Sequence, residues 1–374
     1  MKRILFLTLI LAATPIFYAA EEPRGLKRKA EEAQLEESQR PRKIQLLPNT
    51  KIIFTQYPGL KLINNPHLFA KILNQTNTET VLNFIFNEDP DIRNAIENLI
   101  SSWVPFSIKL EGNTEYLNQI ITHLATLNPG QNFKLEIQVR DNQQNVNQFL
   151  QNLANQLPNN ISTLNLSGNG LRTIPESIGN LTQLTILRLD DNQLTTIPDS
   201  IGNLTQLEYL NLFDNPLSDE NAIPGSMANL QRLDTLQLGS SGLAYLPTPI
   251  TNLTNLTYLG LSNNLLVGLE NIEQLTNLQE LDLSDCLLDP QSRLDEAYYP
   301  NLNQCINQLD TIIHQIAELN NLKSLDLSNN KLIYLPDVIG NLKNLRKLNL
   351  QGNNFSQETQ NEIQGWLPTT RIKF

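Results

Sequence analysis

Hydrophobic and polar positions repeat in a fixed order through the second half of the chain. The segment from Ile161 reads I-S-T-L-N-L-S-G-N-G-L-R-T-I-P, and the segment from Leu184 reads L-T-I-L-R-L-D-D-N-Q-L-T-T-I-P. The L-x-L core of each segment has the period of two that is typical of a strand with one buried face. Each unit therefore predicts a short strand whose leucines point into a core and whose intervening side chains face solvent.

The unit restarts six more times along the chain. The restarts lie at Leu207, Leu233, Leu256, Leu278, Leu322 and Leu345, after offsets of 23, 26, 23, 22, 44 and 23 residues. The order L-x-x-L-x-L-x-x-N-x-L, followed by I-P-x-x-I-x-x-L, resembles the leucine-rich repeat family in its bacterial and plant intracellular form. This resemblance implies an α/β solenoid, a curved array whose parallel strands form the concave face.

Two longer units precede these repeats. Residues 108–113 and 137–142 both fit the strand-to-asparagine core, and apolar residues at helical spacing follow each of them. Long units with helices resemble the ribonuclease-inhibitor type of leucine-rich repeat. We therefore predict a repeat array over residues 104–354 with about ten repeats, an insertion at 289–311, and a C-terminal cap at 355–374.

One polar position follows the strand in each repeat and is predicted to point inward. A buried polar side chain needs hydrogen-bond partners, and backbone groups of the neighbouring turns provide them. The resulting structural ladder is predicted at Asn169, Asn192, Asn215, Ser241, Asn264, Cys286, Asn330 and Asn353. Cys286 is interpreted as a member of this ladder and not as a catalytic nucleophile.

The side chains that alternate with the buried leucines form outward columns on the predicted concave face. Aromatic residues with acids and amides around them resemble an interface anchor, although strands favour aromatic residues in any case. The predicted protein-binding residues are Ile186, Arg188, Asp190, Tyr209, Asn211, Phe213, Tyr258, Glu280 and Asp282.

The first 103 residues lack this repeat. Residues 1–20 combine Lys2 and Arg3, an apolar run and small residues, which is typical of a secretory signal peptide. A membrane anchor is the alternative interpretation, although the apolar run is at the lower limit of the length that crosses a bilayer. Residues 21–43 predict a disordered charged linker. Residues 44–103 predict a small helical region that caps the array, because Asn65-Pro66 and Asp89-Pro90 resemble helix starts.

Two basic clusters in the linker leave a second function open. Lys27-Arg28-Lys29 and Arg40-Pro41-Arg42-Lys43 resemble a bipartite nuclear localisation signal. Combined with an export signal, they indicate an effector or adaptor of a host-associated bacterium that acts inside a host cell. A solvated linker is the simpler interpretation of the same charges.

Composition and motifs argue against enzymatic chemistry. The chain has 374 residues, a net charge of −11, two cysteines and three histidines. The acidic balance disfavours nucleic-acid binding, which needs clustered positive charge. His67, His123 and His314 lack further ligands at zinc spacing. We therefore predict a secreted or periplasmic monomer without catalytic residues, metal or cofactor that binds a protein partner; a ubiquitin-ligase-like enzyme is a remote alternative.

Overall fold

The computed structural model describes residues 51–55, 106–126, 133–286 and 302–374. The chain divides into two compact units, residues 1–138 and 139–374. The predicted signal peptide, the charged linker and the Asn-Pro and Asp-Pro helix starts lie outside the described residues. No helix within the described ranges has both the length and the apolar character needed to cross a bilayer.

The first unit contains three strands and one helix among its described residues. Strand β1 (Lys51–Thr55) pairs antiparallel with β2 (Phe106–Gly112), helix α1 covers Thr114–Thr126, and β3 (Phe133–Val139) follows. Strand β1 was not predicted and lies inside the stretch interpreted as helical. Its K-I-I-F-T sequence is rich in the β-branched and aromatic residues that favour strands.

The second unit is an α/β solenoid built on a parallel sheet. Its described residues contribute nine short strands, each of which pairs in parallel with the next one along the chain. The strands are β4 (Ile161–Asn165), β5 (Ile186–Arg188), β6 (Tyr209–Asn211), β7 (Thr235–Gln237), β8 (Tyr258–Gly260), β9 (Glu280–Asp282), β10 (Ser324–Asp326), β11 (Lys347–Asn349) and β12 (Arg371–Lys373).

The register of the sheet stacks equivalent leucines on one another. Leu187 pairs with Leu164 on one side and with Leu210 on the other, and all three side chains are fully buried. Burying one leucine contributes about 1.5 to 3 kcal/mol. A single three-residue strand gains too little from this to offset its ordering, whereas a stack of neighbours buries a continuous core.

Short helical turns connect the strands on the opposite side of the solenoid. Helix α2 (Gln143–Gln156) precedes β4, helix α3 (Thr248–Thr251) lies between β7 and β8, and 3-10 helices lie in five other connections: Glu176–Asn180, Asp199–Asn203, Gly225–Asn229, Ile272–Gln274 and Asp337–Asn341. A proline precedes α3 and four of the 3-10 helices, where its fixed φ suits a helix start. A Cβ atom at Gly179 would lie 2.5 Å from the Ser200 carbonyl oxygen, so glycine allows adjacent turns to approach.

The 44-residue unit is accommodated without a break in the sheet. Strands β9 and β10 pair directly, with Leu281 opposite Leu325. Helix α4 (Leu302–Ala317) replaces the short helical turn of the other units and buries Ile312, Ile313 and Ile316. The side chain of Gln315 in this helix accepts a hydrogen bond from the Leu269 N–H at 2.9 Å. Part of the predicted insertion therefore forms the helical side of its own turn.

The last twenty residues form one helix and one more strand. Helix α5 (Gln357–Trp366) begins after Ser356, whose hydroxyl accepts a hydrogen bond from the Thr359 N–H at 3.1 Å, as an N-cap residue does. Ile363 and Leu367 are buried. The helix lies within the segment predicted as a C-terminal cap, whereas strand β12 was not predicted: it pairs in parallel with β11 and extends the sheet.

The inward polar column forms a hydrogen-bonded ladder between turns. The Asn264 side chain accepts hydrogen bonds from the N–H groups of Ser241 and Leu243, at 3.1 and 2.9 Å. Its amide group donates to the carbonyl oxygens of Leu238 and Leu261, at 2.9 and 2.7 Å. Asn192 and Asn353 make the same set of bonds in their own turns. Each amide thus joins its own turn to the preceding one.

Two members of the ladder are not asparagine and make different bonds. The Ser241 hydroxyl donates to the Gly239 carbonyl oxygen of its own turn at 3.3 Å. The Cys286 thiol reaches the Leu261 carbonyl oxygen of the preceding turn at 3.2 Å. Both side chains are fully buried. The Cys286 thiol therefore lies in the core as a ladder position.

A left-handed residue immediately precedes each ladder position. The φ angles are 54° to 57° at six non-glycine residues and 68° and 73° at two glycines, which are Gly168, Asp191, Asp214, Ser240, Asn263, Asp285, Asn329 and Gly352. Asparagine, aspartate and glycine tolerate this conformation best. The left-handed residue ends the alternation of side chains along the strand, so the ladder side chain that follows it points inward.

Replacing Asn264 by alanine is expected to destabilise the protein by at least about 3 kcal/mol. The change leaves the N–H groups of Ser241 and Leu243 and the Leu238 carbonyl oxygen without their side-chain partner, whereas the Leu261 carbonyl oxygen keeps its contact with the Cys286 thiol. Each unsatisfied buried group costs about 1 to 3 kcal/mol. Urea denaturation monitored by circular dichroism measures the loss.

Ser241→Ala is the matched control at the neighbouring ladder position. It removes one bond within a single turn, so we expect a loss of about 1 kcal/mol or less. Equal losses for the two variants would contradict the assignment of the inter-turn bonds to the asparagine amide.

Candidate binding surface

The outward columns lie on one face of the sheet in the register predicted from the sequence. Ile186, Tyr209, Thr235 and Tyr258 are paired in succession along the first column. The second column follows two residues later, from Arg188 to Asp326, and the third begins beyond the strand ends. The sheet brings together the predicted binding residues of strands β5, β6, β8 and β9.

The centre of this face carries a set of side chains that hold one another in place. We define the aromatic platform as Arg188, Tyr209, Phe213, Gln237 and Tyr258. The Arg188 guanidinium carbon lies 5.2 Å from the centroid of the Tyr209 ring, within the range of a cation–π interaction. The pair lies on adjacent strands and orients the tyrosine ring from the β5 side.

Glycines make room for the larger side chains of the platform. A Cβ atom at Gly239 would lie 2.7 Å from two carbon atoms of the Phe213 ring, so the ring rests against this glycine. A Cβ atom at Gly260 would overlap the side-chain oxygen of Gln237. Phe213 is 37% exposed. Each glycine therefore leaves room for a neighbouring side chain. A larger residue at Gly239 would displace Phe213, and one at Gly260 would displace Gln237.

The Tyr258 hydroxyl is a polar group at the edge of the platform. Burial raises the pKa of the Tyr258 hydroxyl above its usual value, and the negative charges of Asp282 and Glu280 raise it further, while a hydrogen bond with Gln237 opposes the shift. A neutral phenol both donates and accepts hydrogen bonds. The platform thus combines apolar rings with a polar group at its edge, a combination that is common at protein interfaces.

Two of the predicted binding residues also stabilise their own strand ends. The Asn211 side-chain oxygen accepts a hydrogen bond from the Phe213 N–H at 3.0 Å. Asp282 accepts in the same way from the N–H and hydroxyl of Ser284, at 3.0 and 2.7 Å. These bonds use one oxygen of each side chain for local structure. Glu280, in contrast, is exposed.

Asp190 lies at the start of the third column, with Phe213 at the equivalent position of the next turn. One of its carboxylate oxygens is buried and has no hydrogen-bond partner among the described residues. Burial raises the pKa of the Asp190 carboxyl, and Asp191 raises it further, whereas a backbone hydrogen bond and the charge of Arg188 lower it. Ile186 lies on the neighbouring first column and is half-buried.

Several functional candidates were missed by reasoning from the sequence. Gln237 lies in a predicted outward column, but its contact with Gly260 depends on the spacing between strands. Arg371 and Lys373 join this face only because β12 continues the sheet. Their alternation in T-R-I-K-F, with Ile372 between the two cations, was the available signal.

The described residues contain no group of three or more histidine, cysteine, aspartate or glutamate side chains that would hold a metal ion. His314 contacts the Asp310 carbonyl oxygen through Nδ1 at 2.6 Å within helix α4. His123 lies in helix α1, and His67 lies outside the described residues.

Comparison with protein families matches the repeats directly. The family model described as "Leucine rich repeat" matches residues 159–217 and 301–355. The protein therefore contains leucine-rich repeats. The two matched segments hold strands β4 to β6 and β10 to β11, and the repeat units between them continue the same sheet.

Known proteins with similarity to these leucine-rich repeats cover parts of the chain. Adenylate cyclase of Schizosaccharomyces pombe is 35% identical over 92 residues, which are 23% of this chain and only 5% of the cyclase. Internalin C2 of Listeria monocytogenes is 26% identical, with 59% of this chain and 84% of that chain covered and a TM-score of 0.41. The structure of a TLR13–ssRNA13 complex is 23% identical, with 66% and 31% covered and a TM-score of 0.47.

Asp190→Asn is expected to raise the melting temperature at neutral pH. A carboxyl whose pKa is raised on folding stabilises the protein fully below its unfolded value of 3.8, and this contribution is lost as the pH rises through the folded value. Asparagine does not ionise, so the variant avoids that loss. The difference in melting temperature should be present at about pH 7 and vanish near pH 3.

Thermal melts of both proteins across this pH range measure the difference. A variant that is less stable than the wild type at neutral pH would contradict the assignment, because the attraction to Arg188 would then outweigh the burial of the carboxylate. Asp199→Asn, in an exposed helical turn, provides the matched control.

Proposed function

We propose that this leucine-rich repeat protein binds a segment of another protein on the outward face of its sheet, with the aromatic platform as the anchor. The proposed role is binding without catalysis. The observation that supports it most directly is the exposed Phe213 ring, which rests against Gly239 beside Tyr209. An apolar ring held in place on a strand surface is a costly feature for a face that contacts only water.

The platform is organised before any partner arrives. Arg188 orients Tyr209, the Phe213 ring packs against Gly239, and Gln237 contacts both Gly260 and Tyr258. Immobilising a flexible side chain on binding costs about 0.5 to 1.5 kcal/mol. Because intramolecular contacts restrict these side chains already, less of this cost falls on association.

An extended peptide segment is the form of partner that suits the face best. Tyrosine and arginine are among the residues most often found at binding hot spots. The columns run across successive strands about 4.8 Å apart, and an extended chain advances about 3.3 to 3.6 Å per residue, so a peptide laid across the sheet would place about three residues over every two strand spacings.

A library of displayed random dodecapeptides provides the probe for this proposal. We expect the full chain to select a family of peptides, and the double variant Tyr209→Ala/Phe213→Ala to bind the selected peptides at least about 30-fold more weakly, because hot-spot truncations cost 2 kcal/mol or more. Isothermal titration with one selected synthetic peptide measures the affinity.

Tyr245→Ala is the matched control, since Tyr245 is the most exposed aromatic among the described residues, at 58%, and lies outside the outward columns. It should leave the affinity unchanged. Circular dichroism must show that the double variant is folded. Equal binding by the folded double variant and the wild type would disprove the platform as the anchor.

We also propose that the protein is exported, on the basis of the signal-like sequence in residues 1–20. Export predicts that cell fractionation finds a shortened chain outside the cytoplasm, with its N-terminus near residue 21. Leu9→Arg places a charge in the apolar run and should leave the full-length chain in the cytoplasm. A wild-type chain that keeps Met1 and stays in the cytoplasm would contradict the proposal.

A further inference from the structure

The outward face ends in a compact group of positive charges. Lys347 on β11 is the register partner of Arg371 on β12, and Lys373 follows two residues later on the same face. All three side chains are exposed. Adjacent strands are about 4.8 Å apart and alternate residues about 6.7 Å apart. The three cationic side chains therefore leave the sheet close to one another. We name these residues the basic cluster.

The basic cluster surrounds a depression in the sheet surface. Its volume is about 290 Å³, and Ser324, Asp326 and Asn349 line it together with the three cations. This space suits one or two acidic side chains. The whole chain is acidic, with a net charge of −11, so the cluster is a local reversal of sign.

The nearest acidic side chain is already engaged. One carboxylate oxygen of Asp326 accepts hydrogen bonds from the N–H and hydroxyl of Ser328, at 2.9 and 2.5 Å. The other oxygen accepts from the Asn349 side chain at 2.8 Å. Asp326 is therefore held by neutral donors and keeps its negative charge, but the three cations that line the same depression outnumber it.

An apolar ring lies directly beyond the cluster. Phe374 follows Lys373, is 40% exposed, and packs edge to face on Phe355 with ring centroids 6.3 Å apart. A peptide that reaches this edge of the sheet can offer an apolar side chain as well as a carboxylate, whereas an inorganic anion offers charge alone.

The arrangement of charges also disfavours a long polyanion. Glu280 and Asp282 on β9 lie two strands from Lys347, roughly 10 Å away, which is close to the Debye length of about 8 Å at physiological salt. A nucleic-acid backbone laid across the sheet would meet these carboxylates after only three cations. Phosphate binding of that kind gains its affinity from many cations.

We propose that the basic cluster binds the acidic end of the same peptide segment that the aromatic platform anchors. This inference rests on the proposed function of the platform. From β6 to β12 the sheet measures about 29 Å, which an extended chain covers in about nine residues. The segment would place apolar residues over Tyr209 and Phe213, neutral or basic residues over β9, and acidic residues over Lys347 and Arg371.

The dodecapeptides selected by the full chain test this order of residues. We expect one end of the selected sequences to be enriched in aspartate and glutamate and the other end in apolar residues. The triple variant Lys347→Glu/Arg371→Glu/Lys373→Glu should bind a selected acidic peptide at least about tenfold more weakly, and higher salt should reduce the affinity of the wild type more than that of the variant.

A second triple variant, Arg172→Glu/Lys331→Glu/Lys343→Glu, changes the net charge equally at exposed cations outside the outward columns. It should retain wild-type affinity. Repeating the selection with the first triple variant should yield basic residues at the end where acidic ones stood, which also shows that the variant is folded and able to bind.

The outcomes separate this inference from the proposed function. Selected peptides that require Tyr209 and Phe213 but show no acidic enrichment would overturn the inference and leave the platform in place. Selection of no peptide at all would overturn both. A dodecamer of single-stranded RNA, or vesicles containing phosphatidylserine, that bound through the cluster more tightly than the selected peptides would overturn the inference in favour of another anion.

Discussion

The hydrogen bonds of the buried asparagine amides are the interaction on which the rest of the second unit depends. Three-residue strands and single helical turns leave many backbone groups near each strand end without regular partners, and a buried N–H or carbonyl group without a partner is costly. Asn264 satisfies four of these groups at once and links two turns in doing so. The stacked leucines supply the apolar burial, but they do not define where each strand ends.

The outward face is free to vary because the ladder and the leucines carry the fold. Within one strand, Leu210 is buried while Tyr209 and Asn211 on either side reach the surface. Adjacent turns can therefore present an aromatic ring, an acid or a lysine without changing the core. The local bonds of Asn211 and Asp282 show the limit of this freedom, since the last outward residue of a strand also stabilises the turn that follows it.

Strict periodicity made the repeats and their columns predictable from the sequence, because a period of two and a recurring asparagine determine which side chains point inward. Predictions failed where the structure departs from that unit. Strand β12 lacks the usual L-x-x-L-x-L start, so the place of Arg371 and Lys373 on the outward face was missed. The packing of Phe213 against Gly239 joins two different repeats, so the sequence of either repeat alone does not predict it.

The direct pairing of β9 with β10 bears on how the array tolerates extra sequence. The ladder bond from Cys286 to Asn330 spans 44 residues, whereas the bond from Asn330 to Asn353 spans 23. Closing a chain of twice the length costs only about 0.6 kcal/mol more in conformational entropy. A repeat can therefore nearly double its length at a thermodynamic cost below that of one buried methylene group, which leaves the connection free to diversify while the sheet continues unchanged.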